Sequence, residues 1–522
     1  MEKNGNNEKN EKNERIYNTY LGQKGFTLHK KELTMEQQQK IRTDLTIKPF
    51  VMGSPMTNNT TSFPVYRESN NKMYVPHYYG IEHYGTPKEI NIKDGENIHL
   101  DFNGTLRDYQ TPVVNKFIQH CTERKYGGGL LELPCAWGKT SASLYIISQL
   151  QKKTIVIVHK EFLMNQWIER IQQFLPKARI GKIQGQIIDI DNKDIVIGML
   201  QSLSMKDYPS SIFESFGFTI IDEVHHISSE VFSNSLFKII TKFMLGLSAT
   251  MNRKDGTTPV FKMFLGDVIF KGKRDEERNV TVRAIEYKVK DDEFNEIKLD
   301  FRGNPAYSSM ISKLCEYNRR TEFILTIVAD MFQENPNQQI MILAHNKNVL
   351  TYLHDAIAHR NIATVGYYVG GMKEKALKET ETKQVVIATY SMASEALDIK
   401  SLTTLIMATP KTDIEQSVGR ILREKHSEPI VVDIIDSHDL FKNQWRKRKT
   451  FYKKENYKII YTSSPNYTPD TSNWETLFLP NKIQNKNKNN TDNCTKTIIS
   501  TNDSEEEIDN LLQGMCLLTY KK

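Results

Sequence analysis

Leu130-Leu131-Glu132-Leu133-Pro134-Cys135-Ala136-Trp137-Gly138-Lys139-Thr140 is the stretch that decides the fold. A short apolar run reads as a buried strand, Pro134 and Gly138 mark a turn, and a helix is expected to follow. Backbone N–H groups at a helix start attract anions through hydrogen bonds and the helix dipole. Lys139 is therefore placed to meet the β- and γ-phosphates of a nucleoside triphosphate, and the Thr140 hydroxyl to meet Mg²⁺. Ser141 completes the candidate loop. A chance Gly-Lys-Thr at a helix start would look the same in isolation, so the neighbouring segments must decide.

Those segments repeat one pattern. Thr154–Val158, Asp194–Gly198 and Phe218–Asp222 are short β-branched runs suited to central parallel strands, and Glu161–Phe174 between the first two reads as a helix. Asp222 and Glu223 close the third run, putting two carboxylates at the carboxyl edge of a strand, where α/β sheets hold ligands. Such a pair is otherwise an ordinary solvated turn. Downstream of a phosphate loop it suits a Mg²⁺ contact (Asp222) and orientation of an attacking water (Glu223).

A second α/β stretch follows a charged connector at 272–279, with strand-like runs at Gln339–Ala344, Gln384–Ala388 and Thr403–Met407. Helices are expected near Tyr317–Phe332 and Lys347–Ala358. The expected fold is α/β: two tandem RecA-like, doubly wound parallel-sheet domains with a small N-terminal accessory module and disordered tails. The expected boundaries are a tail at 1–15, the module at 16–98, the lobes at 99–272 and 273–460, and a low-complexity tail at 461–522 with a short acidic helix from Ser504 to Leu512.

Within the module, Thr34 and Gln37 form a candidate capping box opening a helix to about Asp44. The aromatic stretch Phe63–Tyr84 reads as strands around a Ser69-Asn70-Asn71 turn. Its rings suit base stacking or, more plainly, the core of the module.

The 522 residues are 39% hydrophobic and 25% charged, which describes a globular chain able to bury a core. A net charge of +7 permits nucleic-acid binding without requiring it. Five scattered cysteines offer no C-x-x-C pair, which argues against a disulfide framework and for a reducing compartment. No run approaches the ~20 apolar residues of a membrane span. The expected setting is intracellular and cytoplasmic, with no membrane partner.

In order along the chain stand Leu106-Arg107-Asp108-Tyr109-Gln110, the phosphate loop, Asp222-Glu223-Val224-His225, Ser248-Ala249-Thr250, Ala388-Thr389 through Asp398, and Gln416-Ser417-Val418-Gly419-Arg420-Ile421-Leu422-Arg423. This series resembles a superfamily 2 helicase of the D-E-x-H form over residues ~100–460. The resemblance implies ATP as substrate, Mg²⁺, and nucleic acid held mainly by its backbone.

It implies roles for particular residues. Arg107 and Gln110 would recognise adenine, and His225 would link the nucleotide to Ser248, Ala249, Thr250 and the bound strand. Thr389 would touch a phosphate of that strand, with Asp398 at the ribose or between the lobes. Gln416, Gly419, Arg420 and Arg423 match the Q-x-x-G-R-x-x-R pattern, with Arg423 as arginine finger. Helical spacing would put both guanidinium groups on one face. A basic helix face paired with carboxylates such as Glu415 is the plain alternative. His226 has no counterpart in the pattern.

Glu161–Trp167, Met199–Leu203 and Arg253-Lys254-Asp255-Gly256 are similar to XPB-type translocases and poxvirus-type helicases. Leu21–Gly25 and Phe451–Lys454 extend the similarity to helicases of large cytoplasmic DNA viruses. That branch implies a monomer working with transcription machinery, in the cytoplasm or packaged in a virion.

Two positions depart from the family: Ala136 and Ala396 replace glycine. If position 136 needed a left-handed backbone, alanine would cost ~1–2 kcal/mol there. Trp137 could pack into a dry core. As part of the loop's crown, it is expected instead to face the cleft between the lobes and to be part-exposed. Two rivals to a helicase are an ATP-gated clamp that does not separate strands, and the motor of a restriction nuclease using Glu296-Ile297-Lys298. The choice between DNA and RNA stays open.

Overall fold

In the computed structural model the described residues are 17–49, 62–124, 126–134, 137–225, 230–251, 255–272, 279–395, 399–422, 426 and 428–480. The expected tail at 1–15, residues 481–522 of the other, the Ser504–Leu512 helix, Cys135, Ala136, His226, Arg253, Lys254, Ala396, Asp398 and Arg423 lie outside them. Residues 461–480, expected in the low-complexity tail, instead belong to the second lobe: the strand Lys458–Ser463 runs past 460, Glu475–Phe478 pairs with it, and Trp474 is buried in that lobe's core.

Two eight-stranded sheets dominate. In the first, the order is Ile187–Ile188, Ile180–Gln184, Ile195–Met199, Thr154–Val158, Phe218–Ile221, Phe243–Ser248, Gly127–Glu132, Val268–Lys271. Every neighbour is parallel except Ile187–Ile188 at the edge. All five residues of Thr154–Val158 are buried, as helices covering both faces require, which is why that strand reads as a continuous apolar run. Each fully buried Val or Ile there contributes roughly 1.5–3 kcal/mol.

The second sheet runs Val365–Tyr368, Val385–Thr389, Ile340–Ala344, Thr404–Met407, Ile430–Asp436, Thr281–Tyr287, Lys458–Ser463, Glu475–Phe478, antiparallel only at the last pair. These are two doubly wound RecA-like α/β lobes. The Glu161–Phe174 helix has the bounds expected, and the two helices of the second lobe span Asn318–Glu334 and Lys347–His359.

Two buried ion pairs anchor the second lobe. Arg320 donates to both carboxylate oxygens of Asp436 (2.6 and 2.9 Å) and to the Ala408 carbonyl (2.7 Å). Arg448 grips Asp433 through two bonds (2.7 and 2.8 Å), and the Tyr452 hydroxyl donates to the same carboxylate at 2.9 Å. All five side chains are fully buried, so each charge depends on its partner.

The N-terminal module is a five-stranded sheet around Leu21, Phe26, Leu28, Met73, Val75 and Tyr79. The Thr34–Gln37 capping box opens the helix Met35–Asp44, and Arg67–Glu68 pairs with Lys72–Val75 around the Ser69 turn. The aromatic stretch is not strand throughout. His77–Tyr84 is a helix, because after Pro76 the rings serve the two sides of a helix rather than alternating faces of a sheet. It docks on the first lobe through Tyr78, whose hydroxyl donates to the Gly128 carbonyl and accepts from the Gly128 N–H. Gly266, at φ +95°, makes room for that ring: a Cβ would lie 2.8 Å from it.

Candidate active site

Parallel strands bring their carboxyl ends to one edge, and the candidate residues of the first lobe gather there. The strand Gly127–Glu132 leads into the phosphate loop, and the helix Lys139–Leu150 follows from Gly138, which is left-handed at φ +88°. A Cβ at Gly138 would sit 2.4 Å from the Gln110 amide nitrogen, so both backbone and space call for glycine.

Gln110 is buried against this loop. Its amide donates to the Trp137 carbonyl (3.0 Å) and, less closely, to the Gly138 carbonyl (3.3 Å), while its oxygen accepts from the Arg107 N–H (2.9 Å). In this arrangement the amide braces the loop. Arg107 lies over the Tyr109 ring, 5.9 Å from its centroid. The helix of this motif begins only at Thr111.

Trp137 corrects its expectation. It is 7% exposed, joins the first lobe's core, and packs on Tyr109 with ring centroids 5.1 Å apart. A ring this large and apolar gains more from the core beside Tyr109 than from a part-exposed position, so burial wins.

The strand Phe218–Ile221 stops one residue before the carboxylate pair. Asp222 is held by the Trp167 indole N–H (2.9 Å) and the Glu223 backbone N–H (3.0 Å). Burial, then the neighbouring Glu223 charge, raises its proton affinity against these donors. Glu223 is in the left-handed region at φ +49°, an uncommon backbone for a residue with a Cβ, and Lys139 reaches its Oε1 at 3.0 Å. Asp222 and the Thr140 hydroxyl offer oxygen donors, the chemistry that suits Mg²⁺. A carboxylate strained by burial and by a like charge gains from a nearby dication, so the residues fit that ion.

His225 Nδ1 lies 2.9 Å from Ser248 Oγ and 3.5 Å from Glu223 Oε2. The Ser248 hydroxyl proton goes to the Thr250 carbonyl (2.7 Å), so Nδ1 must be the donor to Oγ. One chain of contacts thus joins Lys139, Glu223, His225, Ser248 and Thr250. Ala249 is buried beside it. His159, at the end of Thr154–Val158, feels both carboxylates, yet burial still lowers its pKa.

In the second lobe Thr389 ends the strand Val385–Thr389, its hydroxyl 3.2 Å from that of Ser391. Gln416 sits on the short helix Glu415–Val418, and Gly419–Leu422, carrying Arg420, tightens to a 3₁₀ turn. The regular helix expected across this motif is therefore interrupted at Gly419. The lobes touch where Lys378 pairs with Glu169 (2.9 Å) and Asn165 donates to Glu374 (3.2 Å).

Trp167 is the site residue that sequence reasoning missed. It shares the helix Glu161–Phe174 with Asn165 and Glu169, so one helix bears on both Asp222 and the second lobe. A lone tryptophan on an amphipathic helix gives no signal of a carboxylate partner. Glu296, of the restriction-nuclease reading, is occupied by Lys298 (2.6 Å) and Lys313 (3.8 Å), which makes it a structural ion pair.

Residues 103–253 match the family model described as "Type III restriction enzyme, res subunit". A provisionally named ATP-dependent RNA helicase of Acanthamoeba polyphaga mimivirus is 36% identical over 451 residues, covering 83% of this chain and 85% of its own. The chain belongs to the superfamily 2 helicases of large DNA viruses. A provisionally named ATP-dependent RNA helicase of African swine fever virus (isolate Pig/Kenya/KEN-50/1950) is 27% identical, covering 72% of this chain and 78% of its own. A provisionally named helicase of Invertebrate iridescent virus 6 is 24% identical, covering 69% and 85%. The protein is accordingly an ATP-dependent helicase acting on nucleic acid. Among the described residues, no helix is long and apolar enough to cross a membrane.

Proposed function

We propose that this helicase drives strand separation by closing its two lobes on ATP, with RNA among its substrates. The observation that carries the reading is the Lys139–Glu223 pair at 3.0 Å, continuous through His225 with Ser248 and Thr250. An ammonium that neutralises the candidate general base is also the one that meets phosphate. Engagement of phosphate by Lys139 then releases Glu223 to orient water, and His225 reports that change to the motif facing the strand.

Thr140 and Asp222 would hold Mg²⁺, which would supply positive charge against the phosphate oxygens. By family resemblance, Gln416, Arg420 and Arg423 act on the nucleotide from the second lobe, Asp398 serves the ribose or the contact between the lobes, and Thr389 serves the strand. RNA is favoured by the names of the mimivirus and African swine fever virus relatives. Transcription machinery is the partner that fits a viral helicase of this branch, with the protein acting as a monomer.

The test is ATP turnover with matched single- and double-stranded RNA and DNA across a salt series. Lys139→Ala and Glu223→Gln each remove most turnover, and Glu223→Gln retains ATP binding. Near-normal turnover in either variant would overturn the assignment.

A further inference from the structure

The most exposed large apolar side chain among the described residues is Phe301, at 90%. It tops a small hairpin. The Ala306 N–H donates to the Lys298 carbonyl (2.8 Å), the Asp300 N–H to the Asn304 carbonyl (2.7 Å), and the Gly303 N–H to the Asp300 carbonyl (3.0 Å). Asp300 Oδ1 accepts from the N–H groups of Arg302 (2.8 Å) and Asn304 (2.9 Å), so the carboxylate rigidifies the tip. The aromatic ring is thus displayed on an ordered turn with its geometry fixed beforehand.

Ile297 (48% exposed) and Leu299 (58%) are two apart on the extended arm that leads into the turn, where such side chains share a face. They form an apolar ridge below the turn that carries the Phe301 ring. On the other positions stand Lys298, paired with Glu296, and Arg302, whose guanidinium lies 4.9 Å from the Phe301 ring centroid. The hairpin also has a definite place. Tyr307, at its foot, donates to the Pro410 carbonyl (3.3 Å) and meets the His345 ring edge-on at 6.3 Å. His345 and Pro410 follow the strands Ile340–Ala344 and Thr404–Met407, so the foot stands on the same sheet edge as Thr389.

We propose that this hairpin is a wedge that meets nucleic-acid bases, with Phe301 stacking on a base where paired and unpaired strands diverge. The inference rests on the reading of that sheet edge as the nucleic-acid face. An aromatic ring flanked by a guanidinium suits a base beside a phosphate: every base has a π-face, and arginine adds charge without demanding a sequence. An apolar ridge behind the ring suits insertion beside a base step.

The experiment uses the full chain with forked RNA and DNA duplexes carrying a fluorescent adenine analogue at the first junction pair, and a non-hydrolysable ATP analogue for binding. Wild type quenches the analogue on binding. Phe301→Ala loses that quenching and, with ATP, separates the fork roughly tenfold or more slowly, the range of one lost base–aromatic stack. Phe301→Trp restores both. If Phe301→Ala quenches and separates a fork as wild type does, the wedge is refuted and the ridge belongs to a protein partner. If nucleic acid fails to stimulate ATP turnover by wild type, the reading of the sheet edge falls and the wedge with it.

Discussion

Replacing Trp167 with Phe tests how the first lobe holds its carboxylate. The indole N–H lies 2.9 Å from Asp222 Oδ2, and the Glu223 backbone N–H, at 3.0 Å from Oδ1, is the other donor. A hydrogen bond to a charged group contributes ~1.5–3 kcal/mol, equivalent to about 10- to 100-fold in an equilibrium that needs Asp222 ionised. Phe is smaller than Trp by roughly 40 Å³, which at ~24 cal/mol per Å³ costs about 1 kcal/mol of fold stability. The two effects are separable. Urea unfolding reads the small loss, and Mg²⁺ titration of ATP turnover at saturating ATP reads the larger one. The half-saturating Mg²⁺ concentration is expected to rise about tenfold or more. The sign is fixed: a donor to the carboxylate favours its charged form, so removing it raises the Asp222 pKa further and moves the acid limb of turnover to higher pH. An unchanged Mg²⁺ requirement beside a ~1 kcal/mol stability loss would show that the indole only fills space.

Arg320→Met leaves Asp436 buried without its bidentate partner, and a loss of ~3–5 kcal/mol is expected in urea unfolding, largely recovered when Asp436 is also made Leu. If the double variant is no more stable than Arg320→Met, the pair is not the source of the loss. Burial pushes the His77 imidazole down to about 4. Because the unfolded chain binds that proton near 6.5, the stability in question is complete above pH 6.5 and lost as pH falls toward 4. His345 is pushed down to about 4 by burial and adds to the same window. His77→Phe should therefore flatten, but not abolish, the decline in thermal midpoint from pH 6.5 to 4.5; an unchanged slope would remove His77 from the account.

Elements whose neighbours are sequence-local were legible. The capping box declares itself because Thr34 and Gln37 satisfy each other three residues apart, and the central strands because burial on both faces leaves uninterrupted Ile and Val. The candidate loop and carboxylate pair were readable because the sheet edge needs residues immediately after strands. What sequence could not supply were pairings over long separations, such as Trp167 with Asp222, 55 residues apart, or Arg320 with Asp436, 116 apart. Trp137 misled because adjacency to Gly138 describes the path of the backbone, whereas the side chain's direction is decided by Tyr109 and the core. His77–Tyr84 misled because aromatic richness favours strands and helices alike once a second surface is there to receive the rings.

The Tyr78 hydroxyl has a practical consequence for anyone shortening the chain. Gly127–Gly129 lie beyond the paired part of Val268–Lys271, whose register with this strand starts at Leu130. Tyr78 occupies both hydrogen-bonding groups of Gly128 on that open stretch. A fragment beginning at residue 99 would bare the glycine-rich start of the strand whose far end enters the phosphate loop. Bare edges recruit other strands. Such a fragment should self-associate at the very segment that leads to its nucleotide site, so weak activity in it would report fibrous or swapped pairing rather than a defective motor.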